Sequence, residues 1–314
     1  MKPQTYLLMC GSLLVTVQLA ACELGAAPPT AQSPTPTPMG GGTGWIGFVS
    51  VRDENADLYM MKLDGSEEVR LTDDPANENQ IHYSPDGSQI AFCTDRDGNG
   101  EVYLMDADGG DWTNLTNNPA GECPYAWSPD GTKLAIDSND QDGSVLEVYI
   151  LPIDGGDPIR LTESPSAQTC PSGWSPDGNQ IAYTGWDPTD VAEEIYVMNI
   201  GGGDPRQLTD NTWNDMCPVW SPDGSRIAFY TSRDGNFEIY MMNPDGSDPV
   251  RLTHSPESDK WPAWSPDGQW IAFSSHLGGG NFELYALHVE SGELVRLTDS
   301  DTPEFVPSWQ PARP

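Results

Sequence analysis

The chain is expected to be all-β, a six-bladed β-propeller with four antiparallel strands per blade. Two observations carry that expectation. Ser-Pro-Asp-Gly recurs at 84–87, 128–131, 175–178, 221–224 and 265–268, at spacings of 44, 47, 46 and 44 residues. Each copy follows an aromatic residue, Tyr83, Trp127, Trp174, Trp220 or Trp264, and Trp309 arrives on the same beat before Gln310-Pro311.

Each element of the period has a local cause. Proline fixes φ at the second turn position and glycine takes the left-handed conformation, so the tetrad closes a type I turn between two strands. The first strand ends at the aromatic; the second begins after the glycine, as in Ile90-Ala91-Phe92, Ile181-Ala182-Tyr183 and Ile271-Ala272-Phe273. A third strand reads Glu101-Val102-Tyr103-Leu104-Met105 in one period and Glu238-Ile239-Tyr240-Met241-Met242 in another. After a turn such as Asp108-Gly109 or Asp245-Gly246, a short fourth strand ends in Leu-Thr, at 71–72, 115–116, 161–162, 208–209, 252–253 and 297–298. The two ends complement each other. Trp45-Ile46-Gly47-Phe48 matches a second strand with no first, and Glu304 through Trp309 a first strand with no second. Joining them completes a sixth blade and removes the open sheet edges.

Ahead of the repeats, Lys2, an apolar run from Tyr6 through Val17, and Leu19-Ala20-Ala21-Cys22 have the order of a secretory signal, too short to span a bilayer stably. The last four residues resemble the lipobox of bacterial lipoproteins, which implies lipidation at Cys22. Residues 22–44, with Pro28-Pro29, Ser33-Pro34-Thr35-Pro36-Thr37-Pro38 and Gly40-Gly41-Gly42, read as an extended linker. The expected organisation is a signal peptide at 1–21, a lipidated linker at 22–44 and the propeller at 45–314. That places the protein in the cell envelope, on the outside of the cytoplasmic membrane or in the outer membrane facing the periplasm, held by a lipid anchor alone.

The repeats resemble the WD40-like Pro-Asp (PD40) family, the repeat of TolB-type C-terminal propellers and of propellers attached to some exported peptidases. The resemblance covers 45–309 and implies fold more than function. No α/β domain of the TolB type fits between linker and Trp45, so a Tol-Pal role is not expected. No G-x-S-x-G motif appears, so the peptidase relatives imply only their scaffold.

Lys and Arg total 14 against 48 Asp and Glu, a formal net charge of -34. This disfavours nucleic acid and anionic membranes, favours a basic partner, and also simply keeps a monomer soluble. The expected function is a non-catalytic binding scaffold that captures an envelope peptide or protein at the variable-loop face of the channel. Alternatives are a propeller lyase or hydrolase acting on an extracellular polymer, and a calcium-dependent adhesion or sensor module. Channel-side candidates are Asn79, His82, Glu122, Gln168, Asp215, Asp259, Lys260 and Glu304; outer candidates are Arg96, Trp186, Trp213, Arg233, Phe237, Trp261 and His276. The same carboxylates could cap turns, and the same tryptophans could wedge between blades.

Asp95, Asp97 and Asn99 match part of a calcium loop, but a strand follows at once as it does not in an EF-hand, and the same residues make the turn between strands two and three; no other cofactor is implied. The histidines at 82, 254, 276 and 288 are scattered, and no nucleophile-base pair or metal triad can be read from their spacing. Cys123, Cys170 and Cys217 each precede a proline and should form an arc near the channel, as one disulfide pair, as small buried thiols or as soft metal ligands. Cys93 is expected in the core.

Overall fold

A computed structural model describes residues 44–139, 145–163, 168–186 and 191–311. The signal segment 1–21, Cys22 and the linker up to residue 43 lie outside the described residues, and of Gln168 only the backbone is described. The chain forms six four-stranded antiparallel sheets, with no helix among the described residues.

The inner strands, which face the central axis, are Glu304–Trp309 in blade 1, Glu78–Tyr83 in blade 2, Glu122–Trp127 in blade 3, Gln168–Trp174 in blade 4, Asp215–Trp220 in blade 5 and Asp259–Trp264 in blade 6. Blade 1 is the shared one: Trp45–Arg52 lies between Glu304–Trp309 and Asn55–Lys62, with Ile46 opposite Trp309 and Ser50 opposite Glu304. Each Ser-Pro-Asp-Gly turn is fixed by its own side chains. In the first, Gly87 N–H donates to Ser84 O at 2.8 Å, Ser84 Oγ donates to Asp86 at 2.7 Å, and Gln89 N–H donates to Ser84 Oγ at 3.0 Å. Gly87 has φ 66°, the left-handed conformation the turn needs.

The core is divided among the seams between blades. One apolar cluster fills each seam, as with Ile90 and Phe92 against Val49 and Leu58 between blades 1 and 2. The Ile-Ala-aromatic strands explain how: Ile227 and Phe229 face the blade 4 side, whereas Ala228 faces blade 6. A large face packs against the next blade's small face, so both sides of every sheet are buried, each Phe contributing roughly 2–3 kcal/mol.

A fourth regularity joins strand three to the Leu-Thr end. The threonine hydroxyl accepts from the strand-three backbone in all six blades, at 2.8–3.0 Å, as Ile239 N–H to Thr253 Oγ1 shows at 2.9 Å. In blade 5 that hydroxyl donates to buried Glu238 at 2.6 Å, and Arg251 reaches the same carboxylate at 2.7 Å. Part of the acidic composition is therefore framework, paired inside the blades.

Candidate channel site

All six inner strands shift register partway along. In five of them an ordinary residue takes positive φ: Gln80 at 55°, Cys170 at 46°, Cys217 at 48°, Trp261 at 54° and Val306 at 51°. That conformation costs a non-glycine residue of order 1 kcal/mol or more, and most for β-branched Val306. Such bulges re-aim side chains. Here all five border one cavity of ≈ 310 Å³ on the axis, with Tyr125 completing the ring from blade 3. The bulges let prolines 124, 171, 218, 262 and 307 occupy the inner strands, whose axial edge has no partner to receive an N–H.

The cavity runs from that ring to the turn face, where the repeat aromatics and Pro85 and Pro222 of the turns border it. It is therefore at the opposite end of the channel from the variable loops, where sequence reasoning set the mouth. No residue bordering it carries a carboxylate, an ammonium or a guanidinium. Burial lowers the His82 pKa to about 4, so its imidazole is neutral near neutral pH. His82 is the one histidine of the four that borders the cavity.

Three tryptophans of the aromatic ring latch onto the preceding blade: Trp127 Nε1–H donates to His82 O at 2.9 Å, Trp264 to Val219 O at 3.2 Å and Trp309 to Ala263 O at 2.8 Å. Trp174 and Trp220 do not. Their buried indole nitrogens have no partner, nor do Trp261 Nε1 and His82 Nε2, and all four residues border the cavity. An unmet buried donor costs about 1–3 kcal/mol, so these groups mark local strain in the wall around the cavity. The hydroxyls are engaged instead: Ser172 donates to Cys170 O and Pro218 O at 3.3 Å, and Ser308 accepts from Tyr83 N–H at 3.4 Å.

The structure places the predicted acidic residues elsewhere. Glu122, Asp215, Asp259 and Glu304 start their inner strands at the variable-loop end and are buried. Each bonds into its own blade: Ser138 donates to Glu122 at 3.1 Å, Ser275 to Asp259 at 2.5 Å, Arg233 to Asp215 at 3.1 Å and Arg52 to Glu304 at 3.1 Å. Burial raises Asp259 to about 6 and Glu304 to about 7. Lys260 lies over Phe237, 4.3 Å from the ring centroid. Trp186 and Trp213 are exposed, at 40% and 45%, on the variable-loop face, whereas Trp261 borders the cavity. Of the remaining outer candidates, Arg96 lies over Trp112, His276 stacks on Phe282 and Phe237 packs edge-on to Tyr230.

Cys93 is buried in the core as expected, but it is bonded to Cys123, a pairing the sequence did not suggest, while Cys170 and Cys217 form the disulfide that the arc of cysteines allowed. Both disulfides cross a seam: Cys93 on the second strand of blade 2 reaches Cys123 on the inner strand of blade 3, and Cys170 and Cys217 join the inner strands of blades 4 and 5. The Cys170–Cys217 proximity follows from the shared position before proline, whereas the Cys93–Cys123 proximity has no such signal. In the 95–99 loop, Asp95 accepts from Asn77 N–H at 2.8 Å and Asn99 Nδ2 donates to Ala120 O at 2.6 Å, while Asp97 accepts from Tyr103 OH. Among the described residues no group of three or more His, Cys, Asp or Glu side chains is arranged to hold a metal ion, and no helix is long and apolar enough to cross a membrane.

Comparison with known proteins accords with this architecture. Residues 174–313 match the PD40 family, described as the TolB beta propeller domain, and residues 51–146 match the tricorn protease N-terminal beta propeller domain. Among solved structures the chain is similar to TolB from Acinetobacter baumannii, with 20% identity, TM-score 0.72 and 87% of this chain on 68% of that one. It is also similar to putative TolB from Agrobacterium tumefaciens, with 25% identity, TM-score 0.65 and 86% on 99%. Tricorn protease aligns at 20% identity and TM-score 0.60, over 79% of this chain but 25% of that one. No curated protein matches the sequence. With its repeat tetrads and six four-stranded blades, the folded part of this chain is a six-bladed β-propeller whose residues 174–313 match the PD40 repeat.

Proposed function

We propose that the protein is a non-catalytic, envelope-anchored scaffold that takes an extended segment of a protein partner end-on into its channel through the turn face. The observation that supports this most is the neutral, aromatic cavity, which suits the apolar side chains of a peptide. Around the mouth stand the turn aspartates. Asp86 is held at about 2 by hydrogen bonds from Ser84 and Ser88, and Asp177 and Asp223 are lowered in the same way. Their ionised ring favours a partner with basic residues flanking the inserted segment. A wall whose hydroxyls already bond to the protein, with one neutral histidine, offers recognition rather than proton transfer. Anchoring through a lipid on Cys22 belongs to the same reading, and loss of palmitate labelling in Cys22→Ser tests it separately.

The test is capture of envelope proteins by the wild type and by two variants. Trp174→Phe/Trp220→Phe reshapes the cavity wall, and Trp186→Ala/Trp213→Ala alters the variable-loop face. Capture lost only in the first variant is expected. Capture lost only in the second would return the site to the variable loops and end the channel reading.

A further inference from the structure

The channel holds features that favour one chemical class of peptide, and the chain itself carries a member of that class. We infer that the cavity recognises a proline-rich segment in the polyproline II conformation, and that residues 33–38 of the same chain occupy it until a partner displaces them. The inference rests on the peptide-channel reading above and names its ligand.

A polyproline II chain has no internal hydrogen bonds, so its carbonyls are all available, and its proline rings pack on aromatic walls. It therefore suits an uncharged wall of aromatic side chains. Trp174 and Trp220 contribute to that wall: their indoles border the cavity, and their N–H groups are not tied to a neighbouring blade as those of Trp127, Trp264 and Trp309 are. The two lie in adjacent blades, so these untied indoles share one sector of the wall.

Ser33-Pro34-Thr35-Pro36-Thr37-Pro38 alternates proline with small hydroxyl residues, and no charged residue occurs from Leu24 through Gly44. It enters an uncharged cavity without meeting a partner charge, and the aspartate ring does not repel it. Reach is adequate. The described chain emerges at the turn end of blade 1, where Trp45 O accepts from Gln310 N–H at 2.8 Å, one residue beyond cavity-lining Trp309. Trp45 and Trp309 are on paired strands, a separation of roughly 5 Å. Five residues, Met39 through Thr43, separate Pro38 from Gly44, three of them glycine. Extended, they span roughly 17 Å and can turn back sharply. Because the segment is covalently attached, its effective concentration is of order millimolar, enough to hold a weak ligand in place.

The test uses the whole mature chain, made soluble by Cys22→Ser, and the same chain with Pro34→Ala, Pro36→Ala and Pro38→Ala. Tryptophan emission and its quenching by acrylamide are followed on titration with a synthetic peptide of residues 31–40. The expected result is stronger quenching in the alanine chain, with peptide binding that restores protection there and is roughly tenfold or more weaker in the parent, whose site is already filled. Adding Trp174→Phe/Trp220→Phe to the alanine chain should remove the binding, with circular dichroism showing that the blades persist. Failure of the peptide to bind the alanine chain overturns the inference; if partner capture still depends on Trp174 and Trp220, the channel reading survives that failure, and if it does not, both fall. Protection of the parent that disappears on dilution would put the segment of a second copy in the channel and overturn occupancy within one chain.

Discussion

Glu193 offers a clean test of how burial sets the protein's pH response. Its side chain is nearly inaccessible, at 7%, and its Oε2 has no hydrogen-bond partner. Burial alone raises its pKa from 4.5 to about 7. The sign follows from proton linkage: the folded state keeps a proton that the unfolded state releases near pH 4.3. The stability tied to that proton is fully present below the unfolded value and is lost as pH rises through about 7. The shift corresponds to roughly 3 kcal/mol between pH 4 and pH 8. Glu193→Gln removes the ionisation and keeps the shape. Urea unfolding at pH 5 and pH 8 should then show the variant close to wild type at the lower pH, and more stable by about 2–3 kcal/mol at the higher one. Equal destabilisation of the variant at both pH values would refute the reasoning, because it would mean the carboxylate has a favourable partner. Glu78, Asp137, Glu194 and Glu304 are raised to about 7 by the same cause, so the wild type itself should be more stable at pH 5 than at pH 8.

Three further outcomes follow from the framework. Cys170→Ala/Cys217→Ala and Cys93→Ala/Cys123→Ala should each lower stability by about 3–4 kcal/mol, since the disulfides close separations of 47 and 30 residues; urea midpoints unchanged by dithiothreitol would contradict that. Thr253→Val should cost about 2–4 kcal/mol by stripping both the Ile239 N–H acceptor and a donor to buried Glu238, read from the same unfolding curves; a loss below about 1 kcal/mol would make the threonine incidental. Millimolar Ca²⁺ should leave the melting temperature unchanged, because Asp95 and Asp97 already accept protein hydrogen bonds; a rise that Asp97→Asn abolishes would establish a cation in that loop.

The fold was legible because its signals are local and recur. A Pro-Asp-Gly turn needs only four neighbouring residues to state its geometry, and the unmatched strands at Trp45 and Glu304 state the closure. The site was less legible. Asp215, Asp259 and Glu304 look like channel lining from their place in the strand, yet they fold back onto blade partners such as Ser275 and Arg52. A signal existed: the strand-three acids stand 15 residues before the Leu-Thr threonines, and Glu78, Glu122 and Asp259 stand 16 before a bonded serine or threonine. Such constant separations mark bonded pairs rather than free surface. The left-handed residues had no such mark. Gln80, Cys170, Cys217, Trp261 and Val306 share no side-chain type, and their conformation is imposed by six strands crowding one axis. The Cys93–Cys123 bond is invisible for the same reason, being a product of how blades converge.

The way the ring is sealed also sets how it bears load. The segment Trp45–Arg52 is hydrogen-bonded on both flanks, to the last strand of the chain on one side and to Asn55–Lys62 on the other. A pull on Gly44 directed away from the turn face acts along that strand, so the rungs of both ladders must slip together rather than part singly. A protein held by its leading end would thus be gripped at a mechanically resistant point, and traction from a captured partner would be spread over two seams of the sheet before any rung gives way.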